Sequence, residues 1–184
     1  MLKTALVILA EGFEEVEAIA PVDVLRRAGV RVTIAGLADL KVKGSRQIGV
    51  EADIFLRDLA GLPDAVILPG GLRGATNLAK SAEVAELIKK MNKAGKIIAA
   101  ICAAPAVVLA PLGVLDGKKA TCYPGGETDF SKETLHSKDR VVVDGNMVTS
   151  RGPGTALEFA LAVAAQLVGK EMADTVRGKM LIPS

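Results

Sequence analysis

The chain has 184 residues, of which 50% are hydrophobic and 24% are charged, so we expect one domain, residues 1–184, with a packed core. Lys and Arg total 23 against 21 Asp and Glu, aromatic residues make up 3%, and Trp is absent. These values exclude general disorder and argue against a nucleic-acid partner, which would require a basic face or a set of stacking aromatic rings.

The first half of the chain alternates between apolar runs and amphipathic segments. Continuous apolar runs are typical of strands buried on both faces, and they predict strands at 5–9, 65–68 and 96–101. A further strand is predicted at 31–35. Helical spacing of apolar residues predicts helices at 14–28 and at 81–92, the second with Ser81 as its N-cap. Pro21 predicts a kink in the first helix. A polar, glycine-punctuated segment at 43–53 predicts a short hairpin.

The second half continues this alternation. It predicts a helix from about Ala103, a strand at 120–123, a hairpin with arms at 140–143 and 147–150, an apolar helix at 155–168 and a shorter helix from Lys170. Strands that alternate with helices over one domain predict an α/β fold with a mostly parallel central sheet.

An uncharged apolar run at 97–115 is long enough to suggest a membrane span. It contains Pro105, Pro111 and Gly113 and is rich in Ala, so we interpret it as a buried strand, a turn and a helix. The apolar run at 5–10 is too short for a signal peptide. No membrane partner is expected, and the expected location is the cytoplasm.

The cysteine and histidine content limits the possible metal and redox chemistry. Cys102 and Cys122 fit no zinc-binding spacing, and His136, the one His of the chain, cannot complete a metal set with them. We therefore predict no metal site, and we expect His136 to be a solvated surface residue. A domain of this size needs no disulfide, which favours a reducing compartment.

Ligands of parallel α/β sheets bind at the carboxyl ends of the strands. Four predicted strand ends carry unusual sequences: EGFEEVE at 11–17, LPGG at 68–71, ICAAP at 101–105 and SRGPGT at 150–155. Cys102 lies on a predicted tight turn before a helix, where backbone N–H groups lower the pKa of a thiol and favour the nucleophilic thiolate. The alternative is an inert Cys102 that packs as a small hydrophobic residue.

Two neighbouring segments offer groups that could assist Cys102. Glu14, Glu15 and Glu17 occupy the start of the first helix. Two of them can be explained as exposed carboxylates that complement the helix dipole. One of the three could instead turn inward and act as a proton carrier beside Cys102. The glycine pair at 70–71 indicates either a turn with positive φ or a close approach of backbone N–H groups to an oxyanion.

Six motifs, in this order, resemble the ThiJ/PfpI superfamily and in particular the DJ-1 branch, the family of the parkinsonism-associated deglycase. They are ALVILA (5–10), EEVE (14–17), PVDVLRRAG (21–29), LPGG (68–71), AAICA (99–103) and TSRGPGT (149–155). The resemblance covers essentially the whole chain. It implies a flavodoxin-like three-layer sandwich that forms a homodimer and uses no cofactor.

The resemblance also implies roles for individual residues. It assigns the nucleophile to Cys102 and selects Glu17 as the protonated carboxyl group that stabilises the thiolate. The resemblance further implies that the backbone of Gly70, Gly71 and Ala103 lines the pocket and supplies oxyanion donors. It implies that Arg27 and Arg46 lie near the dimer interface and the mouth of the pocket.

Two positions depart from patterns known in the superfamily. Tyr123 stands where DJ-1 relatives often have histidine, and a phenol with a pKa of about 10 is a poorer base at neutral pH. We therefore expect Glu17 to be the acid and base, with Tyr123 as a hydrogen-bond donor. Ala103 stands where the peptidase members have histidine, so a peptidase is not expected. Cys122 is a candidate resolving thiol for oxidised Cys102.

Three functions compete on these residues. The resemblance implies a cofactor-independent enzyme that converts methylglyoxal or glyoxal to a hydroxy acid without glutathione, or removes early glycation adducts. The alternative is a redox sensor or chaperone-like protective protein that works through oxidation of Cys102. The third is an interaction module in which Cys102 is inert.

Overall fold

The computed structural model describes residues 2–183. Its strands are β1 (Thr4–Leu9), β2 (Arg31–Gly36), β3 (Lys41–Lys43), β4 (Gly49–Glu51), β5 (Ile54–Phe55), β6 (Ala65–Leu68), β7 (Ile97–Ile101), β8 (Lys119–Ala120), β9 (Leu135–His136), β10 (Val141–Asp144) and β11 (Met147–Ser150). Its α-helices are α1 (Glu15–Arg27), α2 (Leu72–Ala79), α3 (Ala82–Lys93), α4 (Ala156–Val168) and α5 (Lys170–Lys179).

Seven strands form the central sheet, in the order β10–β11–β7–β6–β1–β2–β5. Neighbouring strands are parallel except for β10 and β11, which form the predicted antiparallel hairpin. Numbered along the chain, strands β2, β1, β6, β7 and β11 follow the flavodoxin-like order 2-1-3-4-5. The prediction of a mostly parallel, flavodoxin-like sheet is therefore confirmed.

The sheet is buried on both faces, which explains the continuous apolar runs of its strands. Strand β1 illustrates this arrangement. Val7 and Leu9 belong to the core beneath α1, α4 and α5, whereas Leu6 and Ile8 belong to the core beneath α2 and α3. Because alternate residues point to opposite faces, both layers of helices need apolar residues from the same strand. The result is a three-layer sandwich.

Most predicted elements are confirmed to within one or two residues at their ends. Ser81 caps α3, because its hydroxyl accepts the Val84 N–H at 3.2 Å. Helix α1 continues through Pro21. The strand predicted at 120–123 is wrong, since β8 ends at Ala120. The sequence analysis also missed the short strands β5 and β9 and the helix α2.

The segment after Cys102 differs from the α-helix that the sequence predicts. It forms a π-helical turn, Pro105–Leu109, and then a 3-10 turn, Ala110–Leu112. Pro111 has no N–H to donate to the carbonyl four residues earlier, which weakens a regular helix at the place where the 3-10 turn forms. The apolar run at 97–115 thus folds as a strand and two short turns. Within residues 2–183, every helix falls short of the length and apolar character needed to cross a bilayer.

Candidate active site

Four strands end at the same edge of the sheet. Strands β1, β6, β7 and β11 are adjacent and parallel, so the segments that follow them lie together, as the sequence predicts. Two backbone hydrogen bonds connect these segments. The Glu14 N–H donates to the Gly70 carbonyl at 3.0 Å, and the Cys102 N–H donates to the Ser150 carbonyl at 2.9 Å.

Cys102 lies on a strained turn directly after β7. Its φ is +64°, a left-handed value that costs a non-glycine residue about 1–3 kcal/mol. The turn is also held by the Tyr123 N–H, which donates to the Cys102 carbonyl at 2.8 Å. Cys102 is 9% exposed, and the nearby backbone N–H groups of Gly71 and Ala103 act to lower the pKa of its thiol. The predicted tight turn is confirmed.

Glu17 is the carboxyl group next to Cys102. It is 0% exposed, its Oε2 accepts the Gly70 N–H at 2.8 Å, and it is close enough to Cys102 for each group to shift the pKa of the other. Its Oε1 has no well-formed hydrogen bond to any of residues 2–183. A Cβ at position 70 would lie 2.6 Å from Cys102 Cβ and 2.6 Å from Glu17 Oε2. Glycine is therefore required between the two side chains.

The other two carboxylates at the start of α1 hold a neighbouring loop. Glu15 Oε1 accepts the backbone N–H groups of Arg46 at 2.7 Å and Ile48 at 3.3 Å. Glu14 Oε2 accepts the Ser45 hydroxyl at 2.8 Å. Burial by itself would raise the pKa of Glu15, but its N–H donors hold that pKa below its usual range. The interpretation of two of these carboxylates as exposed groups is therefore wrong for Glu15, which the loop buries.

The pair of Glu17 and Cys102 resists carrying two negative charges. Burial raises the pKa of Glu17 to about 7, and the Gly70 N–H only partly offsets this effect. Burial also raises the pKa of the Cys102 thiol to about 12, and the ionised Glu17 carboxylate adds to the increase. The pair therefore releases one proton near neutral pH and holds the second strongly.

The expectation of a lowered pKa for Cys102 is wrong. Burial of the thiol is the largest cause of its raised pKa, and the charge of Glu17 adds to it. The Gly71 and Ala103 N–H groups do act in the expected direction and lower the pKa of the thiol. When the shared proton lies on Glu17, the opposing charge is removed and these two donors face a thiolate.

Tyr123 lies at the rim of this site. Its backbone contacts Cys102, while its side chain is 53% exposed. A Cβ at position 152 would lie 3.4 Å from the phenol ring, so the ring lies over Gly152. The backbone of Tyr123 therefore holds this residue next to Cys102, while its phenol group is exposed and can contact a ligand that enters from solvent.

The two predicted arginines are not brought into contact with the pair. Arg46 is exposed in the loop between β3 and β4, which covers the start of α1. Arg27 lies in the last turn of α1, about 15 Å along the helix axis from Glu17. Its guanidinium donates to Asp23 at 2.9 Å on the exposed side of the helix.

Sequence reasoning missed a second group of chemically active side chains. A sulfur of Cys122, a carboxylate oxygen of Glu127 and a ring nitrogen of His136 lie within 4.8 Å of one another. His136 is exposed, as expected. Glu127 was not among the candidate ligands predicted from the sequence, which were His136 and the two thiols. The spacing C-x4-E-x8-H is the signal that would have identified the group.

Comparison with known proteins identifies the family of the chain. Residues 3–166 match the DJ-1/PfpI family. The chain belongs to this family. Protein dj-1beta of Drosophila melanogaster is 47% identical to it over 185 residues, which cover 99% of this chain and 98% of that protein. The crystal structure of Drosophila DJ-1beta, at 46% identity, superposes with a TM-score of 0.95 and covers 100% of both chains.

Two further DJ-1/PfpI relatives have more informative names. The glutathione-independent glyoxalase DJR-1.2 of Caenorhabditis elegans is 36% identical over 177 residues, which cover 95% of this chain and 94% of that protein. The structure of oxidised Toxoplasma gondii DJ-1 is 37% identical, with a TM-score of 0.93, and covers 99% of this chain and 100% of that one. The family resemblance and the fold are thereby confirmed, whereas the roles of Cys102 and Glu17 stay predictions.

Proposed function

We propose that this DJ-1/PfpI protein is a cofactor-independent cysteine enzyme that converts small dicarbonyls such as methylglyoxal to hydroxy acids, or acts on the related early glycation adducts. One observation carries the proposal: a fully buried carboxyl group, Glu17, lies beside Cys102, and the backbone N–H groups of Gly71 and Ala103 are close enough to the sulfur to lower the pKa of the thiol. A nucleophile, a proton carrier and oxyanion donors are thus available within one small site. The activity in the name of the nematode relative supports the same reaction class.

The first step forms a carbon–sulfur bond. With the shared proton on Glu17, the Cys102 thiolate attacks the aldehyde carbon of methylglyoxal. The carbonyl electron pair moves to oxygen, and Glu17 donates its proton to that oxygen, which gives a neutral hemithioacetal. The Gly71 and Ala103 N–H groups stabilise the negative charge as it develops.

The second step moves a proton between carbons and then releases the product. Glu17, now a carboxylate, removes the proton from the former aldehyde carbon and returns it to the neighbouring carbon. The hydroxyl proton of the hemithioacetal passes to the former ketone oxygen, so that a thioester of lactate forms. Water then attacks the thioester, the Cys102 thiolate leaves, and Glu17 takes up the proton that the water releases. The sum is methylglyoxal plus water to lactic acid. The transfer is internal, so the reaction requires no external oxidant or reductant.

The test is lactate production from methylglyoxal without glutathione and with a chelator present. We expect Cys102→Ser to lower the rate by more than about 1000-fold and Glu17→Gln to lower it by about 100-fold or more. The matched control is Cys122→Ser, which removes the other thiol and should retain activity. Equal rates for the wild type and Cys102→Ser would contradict the proposal.

A second measurement separates a reactive thiol from an inert one. Alkylation of Cys102 by iodoacetamide should accelerate with an apparent pKa near 7, the pH at which the pair loses its first proton. Cys122, which is 1% exposed, should stay unmodified in the folded protein. An apparent pKa of about 8.5 or above would mean that the proton stays on sulfur and would support the inert alternative.

Redox sensing by the same cysteine is the second candidate function. Cys102 is 9% exposed and Cys122 is 1% exposed, so peroxide should reach Cys102 first, and the N–H groups near Cys102 would hold sulfinate oxygens. Two molecules of hydrogen peroxide would oxidise the Cys102 thiolate to a sulfinate and be reduced to two molecules of water. Mass spectrometry after mild peroxide should find two added oxygens on Cys102 alone. Equal oxidation of Cys122 and the methionines would argue against a sensor.

We also propose that the protein forms a homodimer through α1. Val16 and Ile19 are large apolar residues that are 52% and 43% exposed, and helical spacing places them on the same side of α1 as Arg27. An interface on this face would give Arg27 a structural role rather than a role in substrate binding. Light scattering should give twice the chain mass for the wild type and a lower mass for Ile19→Glu.

A further inference from the structure

Three side chains with metal-binding atoms converge in a region that the proposed chemistry does not use. Cys122 Sγ, a Glu127 carboxylate oxygen and a His136 ring nitrogen all lie within 4.8 Å of one another. In a triangle with sides no longer than 4.8 Å, some point lies within about 2.8 Å of every corner, whereas bonds to zinc are about 2.0–2.3 Å long. Movements of less than about 1 Å would therefore bring all three atoms to bonding distance.

Local structure positions each of the three groups. Cys122 follows β8 and is 1% exposed, so its sulfur is fixed by packing. His136 ends β9, which pairs with β8 so that Ala120 lies opposite His136. Glu127 lies in a 3-10 turn, and its carboxylate accepts the Gly125 N–H at 2.6 Å. The half-buried Glu127 and the exposed His136 can make the small movement toward an ion, and Cys122 stays in place.

We propose that Cys122, Glu127 and His136 bind a divalent metal ion of the zinc class, with the fourth position open to water or a small ligand. One thiolate, one carboxylate and one neutral imidazole together balance the charge of a divalent ion. Sulfur and imidazole ligands favour zinc over magnesium and calcium, which take oxygen ligands. Three protein ligands with an open position are the pattern of an accessible zinc site rather than a closed structural one.

A bound ion would brace the segment that contacts Cys102 through Tyr123. The Tyr123 N–H, one residue after Cys122, donates to the Cys102 carbonyl. A Cβ at position 126 would lie 3.2 Å from Ala106 Cβ, in the turn after Cys102, and 3.3 Å from Cys122 Sγ. A bound ion would therefore fix the segment that carries Tyr123 at the rim of the active site. The proposal does not depend on the activity at Cys102.

Cobalt is the probe that tests the proposal, because a cobalt–thiolate bond gives a charge-transfer absorption. The full chain carrying Cys102→Ser retains Cys122 as its one thiol. Titration of this variant with Co²⁺ should give that absorption at one ion per chain, and Zn²⁺ should displace it. No absorption, or an absorption that appears in the wild type and is lost in Cys102→Ser, would overturn the assignment.

Two ligand variants and a matched control complete the test. His136→Ala and Glu127→Gln should each weaken Co²⁺ binding by more than about 100-fold, beyond the 10–100-fold effect of changing outer partners of a metal site. The control is Asp129→Asn, which removes a charge from the same 3-10 turn without removing a ligand and should weaken binding by less than about fivefold. If Asp129→Asn weakened Co²⁺ binding as much as His136→Ala and Glu127→Gln, the effect would be one of overall charge rather than of direct coordination, and the proposal would be overturned.

The one histidine gives a measurement that needs no variant. In the wild type, ¹³C-edited NMR of the imidazole should show the His136 ring signals shift on addition of one equivalent of Zn²⁺. Ring signals that stay unchanged while zinc binds elsewhere would exclude His136 as a ligand.

Discussion

The substitution Glu17→Gln should change how the stability of the protein depends on pH. The buried carboxyl has its pKa raised to about 7, against 4.5 in the unfolded chain. As pH rises through this window, the unfolded chain releases the proton before the folded protein does, so stability falls with rising pH. The shift corresponds to about 3 kcal/mol of stability that is present below pH 4.5 and lost above pH 7.

This magnitude requires no correction for solvent exposure and no assignment of the proton. Glu17 is 0% exposed, and linkage counts the protons on the pair whether they lie on oxygen or on the Cys102 sulfur. Gln at this position keeps an oxygen that can accept the Gly70 N–H, so the local contact is retained. Wild-type stability should therefore fall by about 2 kcal/mol more than that of the variant between pH 5 and pH 8.

The assay is urea unfolding of both proteins at several pH values between 5 and 8. The difference between the two free energies of unfolding cancels the other titrating groups. Glu133→Gln is the matched control, since Glu133 is exposed and the substitution should leave the wild-type pH dependence intact. Parallel curves for the wild type and Glu17→Gln would refute the reasoning that burial holds the proton on this pair. A variant that is more stable at pH 8 but inactive would indicate that the site trades stability for reactivity.

Two further predictions concern packing and acid stability. Gly70→Ala should lower the free energy of unfolding by about 1–3 kcal/mol and slow alkylation of Cys102, because the added Cβ would lie 2.6 Å from Cys102 Cβ. The control is Gly49→Ala, where a Cβ meets nothing within 4 Å, and it should change neither the stability nor the alkylation rate. Equal effects of the two substitutions would contradict the steric argument. Asp64→Asn should destabilise the protein by about 1–2 kcal/mol at pH 7, because the Lys96 ammonium, which donates to Asp64 at 2.8 Å, is the main cause that lowers the pKa of Asp64 to about 2. Since that pKa is lowered, the stabilising contribution of Asp64 is progressively lost as pH falls below about 4. Chemical denaturation should therefore show a smaller difference in the free energy of unfolding between the wild type and Asp64→Asn at pH 3 than at pH 7. A difference that stays constant would count against the ion pair.

The sequence by itself determined the layers and the edge of the sheet that carries the site. A strand buried on both faces must be apolar at every position, so β1, β6 and β7 were visible as runs. Parallel strands joined by helices must place their carboxyl ends together, so the convergence of the segments after β1, β6, β7 and β11 followed from topology. Ser81 was identifiable as a cap because a cap is a local interaction.

Only the tertiary structure decided which groups meet. The sequence offers three carboxylates at the start of α1, and Glu17 faces Cys102 because the loop at 44–48 supplies donors for Glu14 and Glu15 instead. The raised pKa of Cys102 depends on burial and on a charge brought from another strand end, neither of which local sequence contains.

The group formed by Cys122, Glu127 and His136 was hidden for the same reason. Its members come from a strand end, a 3-10 turn and a second short strand, and they meet because β8 pairs with β9. Patterns along a chain report local conformation and the side of an element that is buried. Distances between side chains on different elements are set by packing, and the chemistry of a site depends on those distances.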